Sequence, residues 1–138
     1  MRPPEEIKRG LVMQWLAKAD EDFGVAEHFV FENSPYLNAI GFHAQQAAEK
    51  YLKAFLVHSQ IEFPKSHDID RLLNLVATVD KNLSEPLRDA VVLTDYAVEV
   101  RYPVDLPEIT PLEAREALSL AKRVREAVKH RLAPPPVP

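Results

Sequence analysis

The sequence has no cysteine and only 3 glycines among its 138 residues. Without cysteine the chain cannot form a disulfide, a cysteine-ligated zinc or iron–sulfur site, or a catalytic thiolate. This composition suits a reducing compartment, so we expect a cytoplasmic protein. The glycine content is about a third of average usage. Such scarcity argues against Rossmann and P-loop sites, which need several glycines in one phosphate loop, and against an all-β sandwich with many tight turns.

The chain also lacks a long apolar run and a strong excess of either charge. No apolar stretch approaches the roughly 18 residues of a membrane span. The first residues lack the hydrophobic stretch of a signal peptide, so we expect no membrane association. A content of 46% hydrophobic and 28% charged residues is typical of a globular domain. The formal net charge of −4 gives no general attraction to nucleic acid, so binding of that kind would have to rely on local basic residues.

The 12 prolines lie mostly between segments in which apolar residues recur every three or four positions, the spacing of one helical face. The pattern predicts long helices over approximately residues 5–31, 35–59, 84–100 and 110–132, and a shorter one through Ile69 and Val76. In the fourth segment, β-branched residues near 98–100 leave a strand as the alternative, and the length favours a helix. We therefore predict an all-α fold, an up-and-down bundle of four long helices plus one short helix. The bundle forms one domain over residues 1–132, followed by a proline-rich C-terminal tail over residues 133–138.

Several helix starts are marked by capping residues. Ser34 followed by Pro35 predicts the start of the second helix. Either Ser66 or Asp68 can cap the third helix. Residues 110–113 read Thr-Pro-Leu-Glu, which is a capping box with proline at the first helical position.

The sequence offers little for metal or nucleophilic catalysis. Its 5 histidines are scattered, and no two of them stand three or four residues apart, which is the spacing of a helical metal site. The serines lie mostly at helix ends, where capping explains them. We expect no metal site and no cofactor.

Basic residues cluster towards the end of the last helix, at Lys122, Arg123, Arg125, Lys129 and Arg131, with His130 among them. Cations are favoured there by the helix macrodipole, and this interpretation is preferred. The alternative is a ridge that contacts phosphates.

A second candidate for phosphate contact is the pair Arg101 and Tyr102. The guanidinium could hold a phosphate while the ring stacks on a base. The simpler interpretation, favoured on spacing alone, is that Arg101 pairs with a carboxylate and Tyr102 fills the core.

The second helix carries a polar side opposite its apolar stripe. His43, Gln46, Lys50 and Lys53 share one face, and Glu49 with Lys53 forms a favourable i,i+4 pair. This face is either a ligand-contact surface or, as the alternative, a solvated face or a dimer interface.

Several segments match one family in order along the chain. Residues 42–54 read FHAQQAAEKYLKA, residues 65–69 read KSHDI, residues 101–103 read RYP, and an alanine-rich helix follows over 113–128. Together with Trp15, Ala19, Asp20 and Ala26 in the first helix, these residues closely resemble HEPN domains over approximately residues 10–132.

The resemblance implies a helical bundle that commonly dimerises and that binds or acts on RNA or nucleotides. Some members are toxins that a minimal nucleotidyltransferase, encoded alongside, neutralises. Catalytic members are metal-independent ribonucleases with an Arg-x(4–6)-His motif, in which the arginine holds the scissile phosphate and the histidine moves a proton.

This sequence departs from that catalytic motif. After Arg101, the three positions at which the histidine could stand, 106–108, are Leu, Pro and Glu. Formal matches occur only at Arg123 or Arg125 with His130, and about one such match is expected by chance. Of these, Arg123 and His130 lie seven residues apart and share a helical face.

Three functions from different classes follow from these observations. The first is a nucleotide- or RNA-binding HEPN-like module without hydrolysis, with Arg101, Tyr102, His43, Lys50 and Lys53 contacting the ligand. This module would be a homodimer and the partner of a minimal nucleotidyltransferase in a toxin–antitoxin pair. The second is an active ribonuclease toxin using Arg101 or the pair Arg123 and His130. The third is a structural homodimer or adaptor without a ligand.

Overall fold

A computed structural model describes residues 4–97 and 108–134 of the chain. These two ranges contain only helices and their connections, which confirms the predicted all-α class. The elements, in chain order, are α1 (Pro4–Phe31), α2 (Leu37–His58), α3 (Ile69–Ala77), α4 (Lys81–Ser84), a 3-10 helix (Glu85–Tyr96) and α5 (Pro111–Leu132). None of the described helices is long and apolar enough to cross a membrane.

The central element is α2, which contacts α1, α3, the 3-10 helix and α5. Its predicted apolar stripe is buried from Ile40 onward, with Tyr51 fully enclosed, whereas Tyr36 at the head of that stripe is exposed. Alanines form much of the contact surface of α2 and of α5, and their small size lets neighbouring helices approach closely. The core alanines on these two helices are Ala44, Ala47 and Ala48 on α2 and Ala114, Ala117 and Ala121 on α5.

Most of the helix starts follow the capping predictions. Asp68 caps α3 by accepting hydrogen bonds from the backbone N–H groups of Asp70 and Arg71. Thr110 and Glu113 form the reciprocal capping box of α5. The start of α2 lies two residues later than predicted, because the Ser34 hydroxyl accepts a hydrogen bond from the N–H of Tyr36 and does not cap the helix.

The fourth predicted helix is mostly a 3-10 helix, with three residues per turn, where an α-helix was predicted. Asp80 caps a single α-helical turn, α4, and the chain then continues as a 3-10 helix from Glu85 to Tyr96. Leu87, Ala90 and Leu93 are its buried residues. Their spacing of three matches the three residues per turn of a 3-10 helix, whereas the α-helical stripe predicted through Val91 and Thr94 does not become the buried face. The predicted continuation over residues 98–100 lies outside the described ranges.

Candidate functional site

The polar side of α2 faces α1 across a shared carboxylate. Asp22 on α1 binds His43 Nδ1 through Oδ1 at 2.9 Å and Lys50 Nζ through Oδ2 at 2.6 Å. The three side chains are partly buried, with exposed fractions of 13% for Asp22, 30% for His43 and 22% for Lys50. Two of the predicted ligand-contact residues are therefore brought together at a place that solvent reaches.

The third predicted residue of this face, Lys53, has a different environment. Its ammonium lies 2.9 Å from Glu49 Oε2, and both side chains are almost fully buried. The ammonium also lies 5.6 Å from the centre of the Trp15 ring and 5.7 Å from that of Phe63, within cation–π range. The expected i,i+4 pair of Glu49 and Lys53 is present, and the structure encloses it. Ligand contact by Lys53 stays a prediction.

Glu49 is the centre of a second group of hydrogen bonds. Its Oε1 accepts from Gln45 Nε2 at 3.1 Å and lies 2.7 Å from Nδ1 of His67, in the loop before α3. Gln45 Nε2 also donates to the backbone carbonyl of His67 at 3.0 Å. Gln46 donates to Gln45 Oε1 at 2.7 Å. We call the two groups together the α2 polar network, and its members are Asp22, His43 and Lys50 in the first group and Gln45, Gln46, Glu49, Lys53 and His67 in the second.

A separate cluster joins α1, α2 and α5 around Asp20. Its carboxylate accepts hydrogen bonds from the Tyr51 hydroxyl and from Lys129 Nζ, and Arg125 Nε lies 3.8 Å away. Burial acts to raise the pKa of Asp20, but the hydrogen bonds from Tyr51 and Lys129 and the charges of Lys129 and Arg125 outweigh it, so the pKa is lowered. Burial and the neighbouring Asp20 carboxylate raise the pKa of Tyr51 far above its usual range.

These contacts account for much of the basic cluster near the end of α5. Arg125 and Lys129 pair with Asp20, Arg131 Nε pairs with Asp80 at 3.1 Å, and the Arg125 guanidinium also lies over the Phe23 ring. The structure thus adds cross-helix ion pairs to the macrodipole effect expected from sequence.

The remaining catalytic candidates lie elsewhere, in a surface groove of about 670 Å³ between the 3-10 helix and α5. Arg123 and His130 both line this groove, as their shared face predicts, and Lys122 lines it with them. The Arg123 guanidinium donates to the carbonyl of Pro86 at 2.8 Å and to Asp89 at 3.4 Å. The Arg123 guanidinium therefore already makes hydrogen bonds at the edge of the groove.

Arg101 and Tyr102 lie outside the described ranges, but the residues on either side of that segment are described. A Cβ atom built on Gly41 of α2 would lie 3.1 Å both from Tyr96 Cγ and from Ile109 Cδ1. The side chains of Tyr96 and Ile109 therefore both pack against Gly41. A side chain at position 41 would be accommodated only if Tyr96 and Ile109 moved by a few tenths of an ångström.

Within the described ranges, no group of three or more His, Asp and Glu side chains is arranged to hold a metal ion. Three ionisable residues of the α2 polar network were not among the predicted site residues. For Glu49 and His67, the sequence signal was their position inside the segments that resemble HEPN domains. No sequence signal pointed to Asp22, because its two partners, His43 and Lys50, lie 21 and 28 residues away in sequence.

Comparison with known proteins agrees with this architecture. The crystal structure of TT1696 from Thermus thermophilus is similar, with a TM-score of 0.69 and 31% sequence identity over 87% of this chain and 97% of that chain. No curated protein matches the chain at a significant level. The family model of the HEPN domain matches residues 12–131, nearly the whole chain. The chain therefore belongs to the HEPN domain family, a family of nucleotide- or RNA-related modules.

Proposed function

We propose that this HEPN domain binds a nucleotide or RNA and does not hydrolyse it. The observation that carries the proposal is that the family match spans residues 12–131, while positions 106–108 are Leu, Pro and Glu. An arginine at 101 can hold a phosphate by a charge-assisted hydrogen bond. Without an imidazole at the family's spacing, no side chain of that motif can move the proton that cleavage needs.

His43 and Lys50 are the described residues that we propose for ligand contact. An ammonium group has three donors, and Asp22 takes one donor of Lys50, so others stay available for a phosphate oxygen. Arg101 and Tyr102 complete the proposed site.

For Lys53 we propose a positioning role as the alternative to the direct ligand contact predicted from sequence. Its ammonium is occupied by Glu49 and by two aromatic rings, so it acts on a ligand through Glu49 and the residues that Glu49 holds. Lys50→Glu and Lys53→Glu are therefore expected to behave differently. The first weakens binding and lowers the melting temperature moderately, because it places a carboxylate near partly buried Asp22. The second places a carboxylate beside almost fully buried Glu49 and lowers the melting temperature more strongly.

The direct test is calorimetry of the chain against ATP, GTP and a short single-stranded RNA. We expect binding to at least one of them, weakened by Lys50→Gln. Lys81→Gln on α4, an exposed residue with the same charge change, is the matched control and should bind as the wild type does. Absence of binding at millimolar ligand would overturn the proposal and favour a structural homodimer or adaptor.

We also propose that the chain forms a homodimer and pairs with a minimal nucleotidyltransferase, as the toxins of this family do. Family membership supports this pairing. Sedimentation of the purified chain tests the dimer, and the neighbouring open reading frame with co-purification of its product tests the partner. A monomer at micromolar concentration, or a neighbouring product that does not bind, would contradict the respective part.

A second candidate function is a ribonuclease toxin that uses Arg123 and His130. The specific observation in its favour is that both side chains line one groove together with Lys122. Overexpression in a bacterial host distinguishes it from binding alone. Growth arrest that His130→Ala abolishes would favour the Arg123 and His130 pair, and arrest that Arg101→Ala abolishes would favour Arg101. Harmless expression with intact bulk RNA contradicts both.

A further inference from the structure

The imidazole of His67 is exposed, whereas the Glu49 carboxylate that binds it is almost fully buried. Its side chain is 65% exposed, whereas the Glu49 side chain that binds its Nδ1 at 2.7 Å is 4% exposed. Glu49 is in turn held by Lys53 and Gln45, and Lys53 lies against the rings of Trp15 and Phe63. A chain of buried contacts thus ends on one imidazole at the surface.

The contact with Glu49 determines which ring nitrogen carries the proton. The Glu49 carboxylate, paired with the Lys53 ammonium, is an acceptor, so Nδ1 of His67 must donate. In the neutral imidazole the other nitrogen, Nε2, is then an acceptor with a free lone pair. The neutral imidazole therefore faces solvent with an oriented acceptor.

Attachment of the loop does not require this arrangement. The backbone carbonyl of His67 already accepts from Gln45, and Asp68 caps α3 while its own N–H donates to Ser66 Oγ. A buried ion pair is also a poor means of gaining stability, because desolvation offsets most of its attraction and an apolar pair of similar volume often does as well. The buried pair of Glu49 and Lys53 is better explained as a device that fixes the orientation of the His67 imidazole.

We propose that His67 Nε2 is a hydrogen-bond acceptor for the ligand and that it receives a neutral donor of a nucleotide, either a ribose hydroxyl or an exocyclic amino group of a base. This inference rests on the proposed function and adds a contact residue to it. Nε2 is the contacting atom, and Glu49, Gln45 and Lys53 are positioning residues. A ribose hydroxyl at this place would distinguish RNA from DNA.

The test uses two substitutions that each keep one ring nitrogen. In His67→Asn the amide nitrogen replaces Nδ1, so the contact with Glu49 is kept and Nε2 is lost. In His67→Gln the amide reaches the place of Nε2 and the contact with Glu49 is lost. His58→Asn, at another exposed histidine, is the matched control. Affinities are measured by fluorescence anisotropy with a single-stranded RNA and a DNA of the same base sequence.

We expect His67→Asn to weaken binding by about tenfold, the effect of one hydrogen bond, with a melting temperature close to the wild-type value. We expect His67→Gln to bind more tightly than His67→Asn although its melting temperature falls, because it restores an amide at the Nε2 position. If His67→Asn loses affinity for the RNA alone, the donor is the ribose hydroxyl. If it loses affinity for both the RNA and the DNA, the donor is a base amino group.

Unchanged affinity of His67→Asn for both strands would overturn the inference and leave the proposed function standing. A wild-type chain that binds neither strand would overturn the inference, and failure to bind ATP and GTP as well would overturn the proposed function with it. Histidine ¹⁵N NMR of the wild-type chain is a measurement that needs no variant. We expect the Nε2 resonance of His67 to shift on addition of the RNA or DNA that binds, and an unmoved resonance would contradict the contact.

Discussion

The buried pair of Glu49 and Lys53 offers the sharpest test of the packing described above. We consider Lys53→Met, which keeps the length and apolar stem of the side chain and removes its charge. Glu49 Oε2 then loses the ammonium at 2.9 Å, and a carboxylate that is 4% exposed must rely on His67 and Gln45 alone. The methionine still fits between Trp15 and Phe63, because a thioether packs well against aromatic rings.

The expected magnitude follows from this enclosure. Removing one partner of a buried ion pair costs about 3–5 kcal/mol. The two remaining donors to Glu49 place the cost of Lys53→Met near the lower end, at about 3 kcal/mol of unfolding free energy. For a chain of this size that corresponds to a fall of about 10 °C in melting temperature. Glu49→Gln should cost a similar amount, because it leaves the Lys53 ammonium without its counter-charge.

The assay is a double-mutant cycle of urea unfolding followed by circular dichroism. The double variant Glu49→Gln, Lys53→Met should be more stable than the sum of the single losses implies, with a coupling energy of about 2 kcal/mol. The same substitutions in the more exposed pair of Glu5 and Lys8 on α1 are the control, with a coupling of about 0.5 kcal/mol at most. A coupling for Glu49 and Lys53 as small as that of the control would refute the reasoning.

Three further predictions concern packing, pH and capping. Gly24→Ala, whose new Cβ would meet nothing within 4 Å beyond its own stretch of helix, should stabilise the chain by about 1 kcal/mol through helix propensity. Gly41→Ala should lower the melting temperature, because crowding against Tyr96 and Ile109 outweighs that gain, and equal melting shifts would contradict the close packing. Since the pKa of Asp20 is lowered on folding, its contribution to stability is present above its usual pKa of 3.8 and is lost as the pH falls below it. Asp20→Asn should therefore reduce the change of the urea unfolding midpoint with pH between about pH 5 and pH 2. A variant whose midpoint falls with pH as steeply as that of the wild type would contradict this assignment. Thr110→Ala should cost about 1 kcal/mol in urea unfolding by removing the capping box, and a loss below about 0.3 kcal/mol would contradict that role.

The features of the fold that depend on local sequence were predictable. Helix boundaries follow prolines and capping residues, and both Asp68 and the capping box at Thr110 act at their predicted positions. The apolar stripe of α2 is buried because its 3.6-residue period is regular over about five turns, from Ile40 to Leu56. The 3-10 helix was not predicted. Spacings of three and four residues overlap over short segments, and the choice depends on packing against α3 and α5.

The candidate site was predictable only in part. The spacing of His43, Lys50 and Lys53 places them on one side of a helix, but it does not show that this side packs against α1. Burial of Lys53 depends on Trp15 and Phe63, which approach it from other parts of the chain. Local patterns contain no information on such long-range pairing, so the difference between an exposed lysine and an enclosed one appeared only in the structure.

The central claim is that this HEPN domain binds a nucleotide or RNA without cleaving it. The most direct measurement is a titration of end-labelled single-stranded RNA with the purified chain, read first by anisotropy and then, from the same samples, on a denaturing gel. We predict saturable binding that weakens with Lys50→Gln and full-length RNA at every concentration. Cleavage products whose yield rises with the wild-type chain and disappears with His130→Ala or Arg101→Ala would contradict the claim. So would RNA that stays unbound at the highest protein concentration, together with absence of binding to ATP and GTP.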